Sequence, residues 1–322
     1  YSVSDSTIEN VTVTGSVKAA RTAGGIAASV SGEASLIANS KFEGTVETVE
    51  EAMWGIGAGG IVGSMSGGMM SEVSAVADVS GIDNVGGLVG MLSSPAGMTG
   101  SHAKGKATGR DKVGGLIGST STGVPIENNV AEVDVEGRDM VGGLVGYASY
   151  GRFDTNVAYG SVTGENDVGG FIGKATSGAA SSLPFLYRAA AYGEVSGVDR
   201  VGGLAGTLEA GLSVVESFSY ADVTVTAEGS SPAAGGLVGE YGNGTVSDSF
   251  AAGQVHGTDF AGGLIGRVRL LFMNITNSYA AGEVTGNPTV GGFIGGFDYA
   301  ETYATVTGSF WDTDASGQVL GI

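Results

Sequence analysis

The chain contains no cysteine and few basic residues. Without cysteine it can form no disulfide framework, thiol catalyst or cysteine-based zinc or iron–sulfur site. Its 14 Lys and Arg residues stand against 33 Asp and Glu, which gives a net charge of −19. Nucleic acid is therefore excluded as a partner, because phosphate binding needs clustered cations. No apolar run reaches the length of about 18 residues that a membrane-spanning helix requires, so no membrane span is predicted here.

Histidine is almost as scarce, since His102 and His256 are the only two. They lie several repeats apart, so a Ser-His-Asp triad is hard to build from them. The acidic residues recur at equivalent places of a repeat and single out no carboxylate pair for hydrolysis or lyase chemistry. The sequence therefore predicts a protein that is not an enzyme, with a polysaccharide-active β-helix as the alternative.

Glycine, by contrast, is abundant, with 61 residues. A Gly-Gly pair, usually inside Val-Gly-Gly-Leu-Val-Gly, recurs ten times at intervals of 27 to 35 residues. The first glycines of these pairs are Gly24, Gly59, Gly86, Gly114, Gly142, Gly169, Gly202, Gly235, Gly262 and Gly291. A period of this size is typical of a solenoid, in which each unit covers the apolar face of its neighbour.

Within each repeat, small and apolar residues alternate with period two, which indicates strands rather than helices. The sequence thus predicts an all-β fold, a single elongated parallel β-helix (β-solenoid) of about ten coils with roughly three short strands per coil. Residues 1–58 are expected to form degenerate N-terminal coils or a cap, continuous with the regular solenoid of residues 59–308. Residues 309–322, which include Trp311, are expected to form a C-terminal cap or the start of a following segment.

Three apolar ladders are predicted to fill the core, each made of equivalent residues stacked at the strand spacing of ~4.8 Å. The first is Leu88, Leu116, Leu144, Phe171, Leu204, Leu237, Leu264 and Phe293; the second is Val79, Ala107, Val135, Val162, Val195, Val223, Val255 and Val284; the third is Val130, Val157, Ala190, Phe218, Phe250 and Tyr279. The Gly-Gly pair is expected to turn a corner, either through a positive φ or through close backbone packing against the next coil.

An aspartate column is predicted three residues before the glycine pairs, at Asp83, Asp111, Asp139, Asp199 and Asp259, with Asn166 in the same place. One interpretation is that these side chains bond the backbone of their own turn, as Asx residues commonly do. The other is a calcium site, since stacked carboxylates ~5 Å apart repel unless they are paired or metal-bound. No other cofactor is predicted.

Insertions collect on the arc that follows each glycine pair, where a solenoid commonly faces solvent or a partner. Two of them carry bulky side chains, Trp54 in one and Phe185, Leu186 and Tyr187 in the other. These are candidate binding anchors, or they cover a local gap beside the coil. Asn10, Asn243 and Asn274 each begin an Asn-x-Thr triplet and are candidate glycosylation sites.

The repeat pattern resembles the GLUG motif family. The resemblance covers about residues 59–318 and is carried by Asn-Ser-Tyr/Phe-Ala-x-Gly-x-Val-x-Gly followed by Gly-Gly-Leu/Phe-Ile/Val-Gly, as in residues 277–295, and by the closing Ser309-Phe310-Trp311-Asp312. It implies a repeat region of a large exported bacterial or archaeal surface protein, adhesin-like, and hence an extracellular location. No catalytic residue of that family maps onto this chain.

The predicted function is accordingly a noncatalytic extracellular module of a cell-surface or secreted protein, acting in adhesion or as a rigid display unit. Its expected partners are a cell-surface glycan, a protein ligand or other copies of itself. Two alternatives remain open: a carbohydrate-binding or carbohydrate-active β-helix, and a self-assembling subunit of a filament or surface layer.

Overall fold

The fold was analysed in a computed structural model that describes residues 2–50, 57–176, 185–209, 211–226, 229–230, 232–270, 272–299 and 303–321. Across these residues the strands form four parallel sheets, which we number 1 to 4 in the order in which each coil visits them. The predicted fold class is confirmed, because the chain is a parallel β-solenoid of about ten coils. None of the described helices is long and apolar enough to cross a membrane.

The strand bounds, sheet by sheet, are as follows. Sheet 1 comprises Ser2–Ser4, Ala27–Ser31, Val62–Ser66, Val89–Ser93, Ile117–Ser121, Val145–Tyr150, Ile172–Ala175, Ala205–Leu208, Val238–Tyr241, Ile265–Val268 and Ile294–Phe297. Sheet 2 comprises Thr7–Glu9, Leu36–Ala38, Met69–Ser71, Gly97–Thr99, Ile126–Glu127, Phe153–Asp154, Leu186–Tyr187, Leu212–Val215, Gly244–Ser247, Phe272–Thr276 and Tyr303–Thr307.

Sheet 3 begins with five long strands and continues with shorter pieces. It comprises Thr12–Ala19, Lys41–Thr48, Ser74–Ser80, His102–Thr108, Val130–Glu136, Val157–Tyr159, Val162–Thr163, Ala190–Ala191, Glu194–Gly197, Phe218–Ser219, Asp222–Val225, Phe250–Ala251, Val255–His256, Tyr279–Ala280, Val284–Thr285 and Phe310–Trp311. Sheet 4 comprises Thr22–Gly24, Gly57–Gly59, Asp83–Gly86, Asp111–Gly114, Asp139–Gly142, Asn166–Gly169, Asp199–Gly202, Ala233–Gly235, Phe260–Gly262 and Thr289–Gly291.

Each coil therefore contributes to four sheets, one more than the roughly three strands predicted. The additional sheet is sheet 4, whose strands are three or four residues long and end on the first glycine of each pair. A segment this short shows too little alternation to be distinguished from a turn by its sequence, although its backbone pairs with the coils on either side.

The register between coils follows the glycine pairs. The first glycines of all ten pairs align in one column of sheet 4, as in the pairing of Gly86 with Gly114 and of Gly114 with Gly142. Residues 27 to 35 positions apart thus lie one above another, so the spacing of the glycine pairs sets the length of each coil.

The predicted leucine and valine ladders are confirmed as core, since every member is at most 2% exposed. The third ladder was assigned to the wrong face of its strands. Phe218, Phe250 and Tyr279 point outward, and the buried column of sheet 3 is made instead by the residue that follows each of them. That buried column comprises Ala103, Ala131, Ala158, Ala191, Ser219, Ala251 and Ala280.

The inward residues of sheet 3 are small because the second glycine of each pair lies close to them. A Cβ placed on Gly115 would lie 3.1 Å from the Cβ of Ala131, and one on Gly263 would lie 2.9 Å from the Cβ of Ala280. Between Ala103 and Ala280 a larger inward side chain would collide with this backbone, so the bulky apolar residues of these strands face outward. Near the ends of the stack the same column holds the large side chains of Phe42 and Trp311, which pack against Gly25 and Gly292.

The glycine pairs lie where the chain bends from sheet 4 into sheet 1, but they do so without positive φ values, which fall on other residues. Lys112 and Met140 adopt left-handed φ values of +59° and +58° within sheet 4, and a second left-handed column that includes Asn128 follows sheet 2. The glycine pairs themselves serve close packing, since a Cβ on Gly114 would lie 2.1 Å from the carbonyl oxygen of Ile117. Of the two explanations offered for these glycines, close backbone packing is the one observed.

The C-terminal segment folds across the last coil. Asp312 caps the short helix Thr313–Ser316 by accepting hydrogen bonds from the amides of Asp314 and Ala315. Beyond the helix the chain returns beneath the last glycine pair, where the amides of Phe293 and Ile294 donate to the carbonyl of Gly321. At the other end, residues 2–50 form coils that are continuous with the same four sheets.

Candidate functional site

The aspartate column is an aspartate–arginine ladder. Asp83, Asp111 and Asp139 are in register on consecutive coils, as the sequence predicts. Arg110 donates to Asp83 at 2.9 Å, and Arg138 lies between the next two carboxylates, donating to Asp111 at 3.0 Å and to Asp139 at 2.9 Å. The chain itself thus supplies the positive charge that stacked carboxylates need.

These contacts differ from both interpretations of the aspartates. The three carboxylates bond side chains of adjoining residues and coils rather than acting as Asx turns, and Asn166 continues the ladder by donating to Asp139 at 2.6 Å. No group of three or more His, Cys, Asp or Glu among the described residues is arranged to hold a metal ion. Burial raises the pKa of Asp111, an effect that Arg138 opposes and that Asp83 and Asp139 reinforce.

The last two predicted aspartates have other surroundings. Asp199 accepts hydrogen bonds from the amide and hydroxyl of Ser230 on the following coil. Asp259 precedes the strand Phe260–Gly262, and the coil before it has Pro232 in the equivalent place. The aspartate column is therefore interrupted before it reaches Asp259.

The candidate anchors in the insertions are placed as follows. Trp54 lies outside the described residues. Phe185 and Leu186 are core residues, 4% and 0% exposed, and the ring of Phe185 packs edge-on against Phe153 with centroids 5.5 Å apart. Their interpretation as exposed anchors is wrong, because the chain re-enters sheet 2 at this point. Tyr187 is half-buried and donates to Glu216 at 3.1 Å.

The candidate glycosylation sites differ in exposure. Asn10 and Asn274 are exposed, whereas Asn243 is half-buried and accepts a hydrogen bond from the amide of Gly211 at 2.9 Å. The two histidines, His102 and His256, both lie on the outer face of sheet 3, beside Glu132 and Thr285 respectively.

The outward aromatics of sheet 3 form a continuous strip, and three of its members, Phe218, Phe250 and Tyr279, are residues that the sequence predicts in the core. Phe218, Phe250, Tyr279 and Phe310 stack face to face with centroids 5.0, 5.0 and 5.5 Å apart and planes within 6° of parallel. A parallel column of Tyr159, Tyr192 and Tyr220 stacks beside them. We call these seven residues the aromatic strip.

The stacking determines what the aromatic strip can contact. A sugar ring binds an aromatic side chain by lying flat on its exposed face, and inside these columns each face is covered by the ring of the next coil. The strip therefore presents ring edges and tyrosine hydroxyls. Such a surface suits packing against another protein better than it suits a saccharide.

A second surface feature is a groove along the junction of sheets 4 and 1, which we call the corner groove. One wall is the left-handed column of sheet 4, Asn84, Lys112, Met140, Asp167 and Arg200. The other wall is the outward column of sheet 1, which includes Met91, Ser119, Tyr147 and Lys174. The groove thus runs parallel to the solenoid axis across several coils.

The third glycine of each motif explains why the two walls are so close. A Cβ on Gly146 would lie 2.5 Å from the carbonyl carbon of Lys112 on the preceding coil, and one on Gly118 would lie equally close to that of Asn84. Only glycine permits this backbone approach. Tyr147 follows Gly146 directly, so the Lys112 ammonium group lies over the Tyr147 ring, 5.2 Å from the ring centroid.

Two open depressions meet at Lys112 and Tyr147. One, of ≈ 290 Å³, is lined mainly by small polar side chains such as Ser119 and Ser149. The other, of ≈ 660 Å³, adjoins Lys174 and carries both charge signs. Tyr147 fixes its hydroxyl group 3.2 Å from that of Thr176, and the hydroxyl of Ser119 donates to the side-chain oxygen of Asn84 at 2.7 Å.

Beyond the second depression, oppositely charged side chains on and beside the two walls of the groove are paired. Asp167 accepts from Arg200 at 2.6 Å, and Glu209 contacts Lys174 at 3.3 Å and Arg269 at 2.7 Å. Further along, Glu240 is almost fully buried and is paired with Arg267. Each of these carboxylates is bound by a cation, so the cluster holds adjacent coils together rather than presenting an unpaired acid and base.

Lys112 differs from every other cation in the chain. Thirteen of the fourteen Lys and Arg side chains have a carboxylate oxygen within 4.0 Å. Within the described part of the chain, Lys112 is the only one for which no such carboxylate is found. The sequence shows no sign of this, because an aspartate precedes Lys112 directly.

Comparison with protein-family models, with curated proteins and with solved structures found no match to this chain. The resemblance to the GLUG motif family therefore stays a prediction.

Proposed function

We propose that this chain is a noncatalytic, rigid binding and display module of an extracellular surface protein. The observation that supports this most strongly is the single column in which all ten glycine pairs align, which joins every coil to the next without a break in register. A stack of this kind presents side chains at fixed intervals of ~4.8 Å along its surface, as an adhesive or display unit requires.

The absence of catalysis is part of the same proposal. The carboxylates of the corner groove are held by arginine, lysine or asparagine, and the three aspartates of the ladder are bound by Arg110, Arg138 and Asn166. An acid–base pair would need one carboxylate free to exchange a proton beside the substrate. The groove walls are suited to binding by hydrogen bonds and charge, without turnover.

The proposal is tested with the purified chain coupled to beads. We expect retention of the beads on a surface that carries glycans or proteins of the natural environment, with no new reducing ends and no unsaturated products released from a panel of polysaccharides. Release of such products, reduced by Glu240→Gln, would overturn the noncatalytic assignment. Surface labelling of the producing cells tests the location, and purely intracellular protein would contradict it.

Self-association is a second candidate function, favoured by the aromatic strip. Tyr220 and Phe310 are 49% and 61% exposed on an otherwise ordered sheet face, which is unusual for a monomer surface. Sedimentation velocity across a concentration series tests it. Association that is lost in Phe310→Ser and kept in Tyr150→Ser, an exposed tyrosine outside the strip, would support assembly through this face, whereas a monomer at all concentrations would exclude it.

A further inference from the structure

We propose that the corner groove binds a carboxylate-bearing glycan, with Lys112 as the group that recognises the carboxylate. The inference rests on the proposed function and names the ligand class for that binding module. It starts from a chain in which acidic residues outnumber basic ones by 33 to 14. An unpaired cation is the exception on such a surface, and no described carboxylate pairs with Lys112.

The position of Lys112 suits recognition rather than structure. Its left-handed backbone is shared by the whole column from Asn84 to Arg200, and among the charged residues of that column Lys112 alone has no ion pair with a described residue. The ammonium group lies over the face of Tyr147, where a cation–π contact holds it at the meeting point of the two depressions. The ammonium group has three N–H donors, and one ring face can engage at most two of them, so at least one donor remains for a ligand.

The neighbouring side chains point to a sugar as the carrier of the carboxylate. The smaller depression is lined by serine and threonine hydroxyls and the Asn84 amide, which can both donate to and accept from sugar hydroxyls. Met91 and Leu92 supply the apolar part of its lining, and a lipid or a hydrophobic peptide would leave the hydroxyl groups beside them unpaired. From Asn84 to Arg200 the groove crosses four strand spacings, or ~19 Å, which is long enough for a short oligosaccharide.

The charge of the groove favours a carboxylated glycan over a densely sulfated one. The larger depression is lined by Lys112, Lys174 and Arg200 against Asp139 and Asp167, a net charge of +1. Lys174 and Arg200 are already engaged by carboxylates, which leaves one cation for the ligand. One free ammonium group suits a glycan with no more than one carboxylate per sugar, whereas a densely sulfated chain would bring more negative charge beside Asp139 and Asp167 and be repelled more strongly.

The test uses trigalacturonic acid and its methyl ester, in which a methyl group on each carboxylate removes the charge, as probes in isothermal titration. We expect the acid to bind and the ester to bind at least about tenfold more weakly, since a charge-assisted hydrogen bond contributes about 1.5–3 kcal/mol. Lys112→Met should weaken binding of the acid by a similar factor. Methionine is the natural residue at the same left-handed position one coil later, Met140, so the variant is expected to fold.

Lys104→Met is the matched control, because it removes the same charge from the outer face of sheet 3, where Lys104 is paired with Glu132. Its affinity for the acid should equal that of the wild type. The inference would be overturned if the two variants lost affinity equally or if acid and ester bound equally. Heparin, a sulfated glycan, and hyaluronan, a carboxylated one, serve as further probes. Binding of heparin but of neither trigalacturonic acid nor hyaluronan would also overturn the inference. A failure of all carboxylated probes would likewise reject it. It would leave the rigid, noncatalytic module intact, since bead retention and the product assay are independent of these ligands.

Discussion

Replacing Gly115 by alanine should destabilise the solenoid far more than the same substitution at a loosely packed glycine such as Gly123. Gly115 is the second glycine of its pair, and a Cβ there would lie 2.0 Å from the carbonyl oxygen of Gly143 on the next coil. The nearby bond from the amide of Leu116 to the carbonyl of Leu144, 2.9 Å long, joins the same two coils. To admit the methyl group, the coils must separate by about 1 Å, which strains or breaks such bonds.

The magnitude follows from two contributions. Overpacking costs about 1–3 kcal/mol, and one or two weakened backbone hydrogen bonds cost about 0.5–1.5 kcal/mol each, so Gly115→Ala should lose about 1.5–6 kcal/mol of unfolding free energy. Gly123→Ala is the control, because a Cβ there meets only the side chain of Tyr150, at 3.1 Å, and the φ angle is ordinary. That variant should lie within about 1 kcal/mol of the wild type, with any gain arising from the less flexible unfolded chain.

Urea denaturation followed by circular dichroism measures both variants, with hydrogen exchange to locate the change. We expect Gly115→Ala to lower the urea midpoint and to reduce amide protection first in the coils that contain Leu116 and Leu144. If Gly115→Ala and Gly123→Ala unfold at the same midpoint, the close packing of the glycine pairs is not what stabilises the stack, and the explanation given for the repeat is refuted.

Three further predictions concern the aspartate ladder and the aromatic strip. Millimolar calcium should leave the melting temperature unchanged, because Arg110 and Arg138 neutralise the ladder, and a calcium-dependent rise would restore the metal hypothesis. The raised pKa of Asp111 means that its ionisation costs folding free energy, so stability relative to Asp111→Asn should increase as the pH falls from neutral toward about 4; an opposite trend in the urea midpoints would contradict this. Phe250→Ser should lower the unfolding free energy by about 1–3 kcal/mol, since it removes two stacked contacts worth about 0.5–1.5 kcal/mol each, and an unchanged midpoint would show that the strip adds nothing to stability.

The architecture was predictable from sequence because one local pattern repeats. The glycine pairs gave the coil length, and the leucine and valine ladders were assigned correctly because they lie next to those pairs in sequence. The outward direction of Phe218, Phe250 and Tyr279 was not predictable from hydrophobicity, which favours burial. It depends on the backbone of the second glycine, which in the coils that contain Phe218, Phe250 and Tyr279 leaves room inside sheet 3 only for alanine or serine.

The candidate site could not be predicted from the sequence, for a different reason. Lys112 and Tyr147 are 35 positions apart and belong to different sheets of successive coils, so no motif joins them. Likewise, the pairing of Arg138 with two aspartates depends on its side chain lying between coils, which spacing alone does not show. One signal was available: arginine directly precedes both Asp111 and Asp139, as expected of a ladder that supplies its own counter-charge.

The central claim, that residues about 28 positions apart are stacked as successive rungs of a rigid solenoid, is tested most directly by distances between spin labels. The chain has no cysteine, so the double variants Ser80→Cys, Thr224→Cys and Ser80→Cys, Thr285→Cys carry only the intended labels. These three positions lie in one outward column of sheet 3. The account predicts narrow distributions centred near ~24 Å and ~34 Å, five and seven strand spacings. Broad distributions, or two distances that do not differ by about two spacings, would contradict it.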